Sequence, residues 1–494
     1  MRAIEARDPR FDGVFFVGIT STMIYCRPIC PARISHPEHR RFFDSAAAAE
    51  RAGFRPCRRC RPELAPGRAL VNAVSRLAHA AAHRIAAGAL DGRSVPDLAH
   101  DLCVSERHLR RALEREFGVT PVQLAQTHRL LLAKRLLTDT TLPVTRIAYA
   151  SGFQSLRRFN EVFRRHYRMT PGDLRRTKRG RRQTAPAKDY IRLTLAYRAP
   201  FDWRSLLSLL RRDQMPRVEC MDGLRYTRTV RIDGHEGIVA VEDAASRSGS
   251  GTRRPASHLV AEISDSLVPV LTPLIARLRQ LFDLDADPTS IDECLEWSGL
   301  RAQVRRRPGL RIPGAFDAFE TALGLLLRGP WPNRAADRAR VARVVEVLGE
   351  PASTGIPGLE RFAPTPERVA DADVSGLVRL DVPEHRARAI AAVAAAVADG
   401  TLSLAPGGDV EATHRALMEM PCMDERLVTA IVQRTLAWPD AFAASDRSLQ
   451  RAAEASNAAE LRARADAWRP WRAYAAAHLG LDAAELSPRL WRAS

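Results

Sequence analysis

Apolar residues spaced four apart recur twice between residues 70 and 178, at Leu109 and Leu113 and again, fifty positions later, at Phe159 and Phe163. That spacing lines one side of a helix. The repeat extends further: Ser105 matches Ser155, and Phe117-Gly118-Val119-Thr120-Pro121 returns as Tyr167-Arg168-Met169-Thr170-Pro171. Each copy predicts a short helix, a tight turn and a longer helix. In the first, Val95 to Leu102 leads through Cys103-Val104 into Ser105 to Phe117. In the second, Val144 to Ala150 leads through Ser151-Gly152-Phe153 into Gln154 to Tyr167. A serine at each long-helix start can cap it, and Gly152 permits a positive φ in the turn. A helix around Leu124 to Leu137 bridges the copies. Beyond residue 189 the period changes. Tyr190 to Leu195 alternates as a strand does, Arg225 to Ile232 and Gly237 to Val241 read as further strands, and residues 189–284 therefore predict a small α+β unit. The remainder turns helical, with amphipathic segments at Ala315 to Leu327, Arg338 to Leu348 and Arg386 to Ala398.

The whole is expected to be a multidomain α+β chain, and 494 residues suffice for three or four separate cores. The longest apolar run, Ala389 to Ala398, is alanine-rich and too short to span a bilayer, so no membrane partner is expected. The formal net charge of +19 points to a polyanionic partner. Lysine stands only at Lys134, Lys178 and Lys188, so nearly all of that charge is arginine; alanine is equally abundant, and local clusters therefore weigh more than the total. One such cluster, residues 179–188 with the arginines just before it, reads as a basic linker that tracks phosphates or serves as a plain solubilising tether. The N-terminus has no apolar core of a signal peptide, and Cys103, Cys220, Cys294 and Cys422 are scattered singly. A reducing, cytoplasmic setting follows.

The other four cysteines stand in two pairs, Cys26-x3-Cys30 and Cys57-x2-Cys60, amid prolines and arginines. This spacing fits one tetrahedral Zn2+, each pair biting one edge. The site reads either as a structural staple or as a reactive one. Four thiolates on one zinc ion carry a net charge of minus two and leave at least one sulfur electron-rich.

Asp8-Pro9-Arg10-Phe11-Asp12-Gly13, Thr22-Met23-Ile24-Tyr25-Cys26-Arg27-Pro28 and Gly53-Phe54-Arg55-Pro56-Cys57 resemble the N-terminal domain of the Ada adaptive-response family, over residues 1–66. The resemblance implies a stoichiometric, suicide methyltransferase, in which Cys26 irreversibly takes a methyl group from a DNA methyl phosphotriester. It implies DNA contacts at Thr22, Arg33 and Arg55. Met23 stands where a glycine is usual, beside the nucleophile, and is expected to narrow the approach. Turning one thiolate into a thioether removes a negative charge, so affinity for the DNA backbone is expected to rise on methylation.

The repeated segment, residues 70–178, resembles an AraC-type domain with two helix-turn-helix units. Arg107, Arg110 and Arg111 fall opposite Leu109 and Leu113; Arg157, Arg158 and Asn160 fall opposite Phe159 and Phe163. The two long helices are thus expected to read double-stranded promoter DNA, with RNA polymerase as the activator's partner. The alternative is an arginine-rich bundle that binds nothing.

Pro200-Phe201-Asp202-Trp203, the run Leu281 to Pro288, Pro308 to Gly314 and Trp468 to Ala475 resemble the AlkA-type 3-methyladenine DNA glycosylases, collinearly over the α+β unit and a helix-hairpin-helix domain at 285–494. Such enzymes stack an extruded cationic base on aromatic rings. The aspartate implied for cleavage is Asp446. Other functional positions depart from the pattern. The hairpin reads Pro421-Cys422-Met423-Asp424 without glycines, and the pocket aromatics fall on Arg426, Ala430 and Gly480. The wedge region reads Leu327-Arg328-Gly329-Pro330-Trp331-Pro332. No Pro-Cys-His-Arg sequence of an O6-alkylguanine transferase occurs. Three readings stand: a methyl-accepting repair protein and regulator; a bifunctional protein that also excises bases through Asp446; and a non-enzymatic, zinc-stabilised regulator with a degenerate glycosylase fold.

Overall fold

The computed structural model describes residues 2–8, 11–32, 35–66, 76–176, 189–247, 257–328 and 334–486. The basic linker, Arg33 and Trp331 lie outside the described residues. The chain divides into two compact units. One comprises residues 1–199, 231–279 and 284–287; the other comprises residues 200–230, 280–283 and 288–494.

The first unit opens with a four-stranded sheet ordered Arg40–Phe43, Phe16–Ile19, Ile24–Cys26, Arg55–Pro56. The last pair is parallel and the others antiparallel, with Val17 opposite Cys26. Phe16, Tyr25, Phe43 and Phe54 form its core beneath the helix Ala46–Arg51, whose N-cap Ser45 accepts from the Ala48 amide at 3.1 Å. Gly18 fits between two rings: a Cβ there would lie 2.7 Å from both Phe43 and Phe54.

Seven helices follow in the same unit, among them Val95–Asp101, Glu106–Phe117, Pro121–Asp139, Val144–Ala150 and Leu156–Tyr167. Both long helices of the repeat start one residue after a capping serine, Ser105 or Ser155, which accepts a backbone amide from three residues on. This cap explains why the second begins at Leu156 rather than Gln154. The first turn spends three residues between helix and cap and the second spends four, so the repeat is not perfectly periodic. Cys103 (φ +54°) and Gly152 (φ +82°) supply the left-handed residue in each. Three antiparallel strands complete the unit: Tyr190–Ala196 pairs with His258–Ser264, which pairs with His235–Asp243.

The second unit is helical except for a hairpin of Glu219–Asp222 with the first part of Arg225–Ile232. Its core gathers Leu323, Val341, Val344, Ile390, Val393, Val428 and Ile431 from the helices Ala318–Leu327, Arg334–Leu348, Glu384–Ala398 and Glu425–Thr435. Buried Arg228 is held by both Glu320 oxygens, at 2.7 and 2.8 Å, and lies 3.8 Å from the Phe316 ring centre. Such a charge is tolerable inside only because it is paired. Among the described residues, no helix is long and apolar enough to cross a membrane.

Candidate functional site

Cys26 ends the strand Ile24–Cys26, Cys30 follows in the next turn, and Cys57 and Cys60 sit in the turn after Arg55–Pro56. The parallel pairing of those two strands brings the two cysteine pairs together. All four sulfurs lie within 4.8 Å of one another. A tetrahedral zinc ion with bonds of about 2.3 Å places its sulfurs roughly 3.8 Å apart, so the cluster fits Zn2+. Hydrogen bonding to Cys30, Cys57 and Cys60 holds the Cys26 thiol protonated, while the Cys26 thiol brings Cys30 down to about 7 and drives Cys57 down further.

The four cysteines are not equivalent. Cys57 and Cys60 are buried, and each accepts a backbone amide at 3.3 Å, from Arg59 and Arg27 respectively. Cys30 accepts from the Ala32 amide. Cys26 is half-buried and, among the described residues, receives no amide. Hydrogen bonds to a sulfur disperse its charge, so the sulfur without them keeps the most nucleophilic lone pair.

A cavity of about 460 Å³ opens over this cluster, with Thr22, Cys26, Cys30 and Arg55 in its wall. The helical segment contributes Lys134, Tyr167 and Met169 to the same wall. Arg27 is spent on structure, bonded to Asp12 and to the Cys60 carbonyl at 3.1 Å. Met23 does not act as expected. Its side chain packs against the aromatic core, and its φ of +53° puts it in the left-handed region, which accounts for glycine being usual there. Sequence reasoning missed Lys134, buried in the bridging helix, whose Nζ reaches Glu63 at 2.6 Å and the Cys57 carbonyl at 3.2 Å. Its rarity was the available signal, since lysine occurs at only two other positions.

On the two long helices Arg107, Arg110, Arg111, Arg157 and Arg158 are exposed, while Asn160 is half-buried. Leu109, Leu113, Phe159 and Phe163 on the opposite sides are fully buried. Arg110 pairs with Glu106 at 2.9 Å and Arg158 with Glu161 at 3.2 Å, exposed contacts that a phosphate can displace at little cost.

In the second unit a cavity of about 940 Å³ gathers Asp446, Arg426 and Ala430. Asp446 caps the helix Arg447–Ala452, accepting from the amides of Ser448 at 2.7 Å and Leu449 at 3.2 Å. Asp424 likewise caps Glu425–Thr435 through the Leu427 amide at 2.8 Å. The acid in the hairpin thus occupies the helix N-terminus that a phosphate would otherwise take. No Phe, Tyr or Trp lines the cavity among the described residues.

Three family profiles match the chain: the metal binding domain of Ada over residues 1–63, a helix-turn-helix domain over 98–177 and the AlkA N-terminal domain over 192–317. A Mycobacterium tuberculosis protein described as "Probable bifunctional transcriptional activator/DNA repair enzyme AlkA" is 35% identical over 484 residues, spanning 97% of this chain and 95% of that one. Escherichia coli DNA-3-methyladenine glycosylase 2 is 31% identical over 287 residues, 58% of this chain and 95% of its own. Among solved structures, 3-methyladenine DNA-glycosylase from Archaeoglobus fulgidus aligns at 15% identity with a TM-score of 0.48, over 60% of this chain and 99% of that one. The chain belongs to the family of bifunctional transcriptional activator/DNA repair enzymes that join an Ada-type metal-binding domain and a helix-turn-helix domain to an AlkA-type region.

Proposed function

We propose that Cys26 accepts a methyl group from a DNA methyl phosphotriester, once per chain, and that the methylated protein binds its promoter more tightly. What carries the reading is the position of Cys26: it is half-buried, receives no amide among the described residues and lines a cavity together with Thr22 and Arg55. Cys26, Cys30, Cys57 and Cys60 would hold one zinc ion, which keeps all four sulfurs deprotonated at neutral pH. The Cys26 Sγ lone pair forms a bond to the methyl carbon, the methyl carbon–oxygen bond breaks, and its electron pair leaves on the phosphate as a diester anion. Arg55 offers its charge to that phosphate and Thr22 a hydroxyl. The thioether is stable, and the other three sulfurs are engaged, so the chain does not turn over.

The loss of one negative charge beside the backbone raises affinity without a new contact. The exposed arginines Arg107, Arg110, Arg111, Arg157 and Arg158, with Asn160, then hold promoter DNA, and RNA polymerase is the partner of the bound form in the cytoplasm. This reading assigns residues 1–66 to methyl acceptance, 70–178 to promoter reading, 179–188 to a linker, 189–284 to an α+β domain and 285–494 to a helix-hairpin-helix domain. Base excision through Asp446 is the second reading, and the absence of aromatic rings from the cavity wall among the described residues argues against it. Peptide mass spectrometry after incubation with methylated DNA tests the first. A single methyl on the peptide holding Cys26 is expected; repeated turnover, or methyl on Cys422 instead, would sink it.

A further inference from the structure

Among the described residues, the cavity of the second unit is lined by arginines and by no aromatic ring. Arg328, Arg386 and Arg434 line it together with Asp213, Asp337, Asp424 and Asp446. Two of these carboxylates are matched by an arginine, and the other two cap helices and keep their charge. Asp213 pairs with Arg434 at 2.6 Å, Asp337 with Arg340 at 2.6 Å, and Asp424 and Asp446 accept the amides of their own helices. Arg328 and Arg386 are held differently. Arg328 donates to the carbonyls of Gly324 at 2.7 Å and Gln214 at 2.6 Å, and Arg386 donates to the Leu327 carbonyl at 3.2 Å. Carbonyl partners orient a guanidinium without neutralising it. Gly324 leaves room for the guanidinium: a Cβ there would lie 2.8 Å from Arg328 Nη1 and push it aside. Burial pushes both groups down from the usual arginine value, which is the mark of charge taken out of water without a full counter-charge.

We propose that this cavity binds the phosphate of a nucleotide, with Arg328 and Arg386 as its anchors and exposed Arg338 at the rim. A volume of about 940 Å³ accommodates a base, a sugar and a phosphate together. Planar guanidinium groups in a partly dehydrated cleft match phosphate oxygens in pairs. A cationic alkylated base meets the like charge of these arginines and, among the described residues, no ring to stack on, so the selectivity of the cavity is inverted relative to an aromatic base pocket. The phosphate belongs either to a DNA strand or to a free nucleotide. This inference is independent of the role given to Cys26.

The test is calorimetric titration of the full chain with dAMP, with a single-stranded oligonucleotide lacking terminal phosphates, and with free 3-methyladenine. Binding of dAMP is expected to saturate and to weaken roughly tenfold or more in Arg386→Gln, the loss of one charge-assisted contact. Arg93→Ala, at an exposed position paired with Asp101 in the other unit, should leave it unchanged. Arg328→Gln is expected to weaken it as well; should that variant fail to fold, exposed Arg338→Ala keeps the question open to measurement. Competition between oligonucleotide and dAMP assigns the phosphate to a strand, and independent binding of dAMP assigns it to a free nucleotide. No dAMP binding, dAMP binding indifferent to both Arg386→Gln and Arg338→Ala, or displacement of dAMP by 3-methyladenine overturns the proposal.

Discussion

Glu50 of the zinc-domain helix and His166 of the second long helix meet as a partly buried ion pair, with 3.1 Å between carboxylate and imidazole. The ring N–H is not aimed along a directed hydrogen bond, so the contact is chiefly electrostatic. The same carboxylate accepts the Tyr25 hydroxyl at 2.9 Å and the Thr127 hydroxyl at 2.7 Å. One acid therefore ties the aromatic core under the cysteine cluster to the bridging helix and to the helix that carries Arg157 and Arg158. Burial works against the His166 charge, but the Glu50 carboxylate outweighs it and raises the imidazole above its ordinary value. A histidine raised in the folded state contributes stability in full below the unfolded value of about 6.5, and loses it as pH rises through the folded one. His166→Ala is expected to destabilise the chain by about 2 kcal/mol at mildly acidic pH and by less at alkaline pH. Chemical denaturation of both proteins across that range checks it; equal losses at both ends would remove the charge from the explanation.

The charge account of signalling makes a separate claim. Methylation of Cys26 removes one negative charge near the backbone, worth about 1 kcal/mol when partly solvated, or several-fold in promoter affinity. Gel-shift titrations before and after methylation, at low and high salt, should show a gain that shrinks as salt rises. A gain independent of salt would point to a conformational change instead. Cys26→Ala should abolish both methyl acceptance and the gain, while Cys422→Ala changes neither.

The parts of this arrangement that could be read from sequence were those with a local or periodic signature. Two cysteine pairs at ligand spacing, and helices whose buried residues recur every fourth position, fall in this class. His258–Ser264 was missed although Leu259, Ala261 and Ile263 are its buried residues, because Val260 on the other side blurs the alternation. Glu219–Asp222 was missed because it is four residues long and flanked by charge. Glu50, Lys134 and Glu63 carry no pattern at all: each is a single charged residue whose link between the zinc domain and the bridging helix runs to a partner more than seventy positions away. Asp446 shows the converse. Its place after Ser445 was legible as a helix start, and it is one.

His478 gives a second pH dependence, of opposite sign. It is fully buried in the helix Arg472–Leu486, neither ring nitrogen has a hydrogen-bond partner among the described residues, and burial with Arg307 nearby brings it down to about 4. Between about 6.5 and that value the unfolded chain takes up a proton that the folded chain refuses. Stability should therefore fall as pH drops through this window, by about 3 kcal/mol in total. His478→Leu removes the refused proton. Its denaturation midpoint should vary less with acidification than that of the parent, and an identical acid dependence would place the effect elsewhere.

The last prediction concerns base excision. Cleavage of a glycosidic bond needs a carboxylate near the sugar, but that carboxylate can act only after the base has been extruded and held. Asp446 is present in the cavity wall, yet two amides of its own helix share its oxygen, and among the described residues the wall offers arginines where a cationic base needs rings. Asp424 caps the helix whose N-terminus would anchor a DNA phosphate. Incubated with methylated duplex DNA, the full chain is expected to release little free 3-methyladenine, and Asp446→Asn should change that rate by less than about threefold, the scale of an altered cap rather than of lost chemistry. Duplex binding should persist through the arginine-bearing helices of the other unit. Robust release by the parent, abolished in Asp446→Asn, would instead make the cavity catalytic and establish two repair activities in one chain.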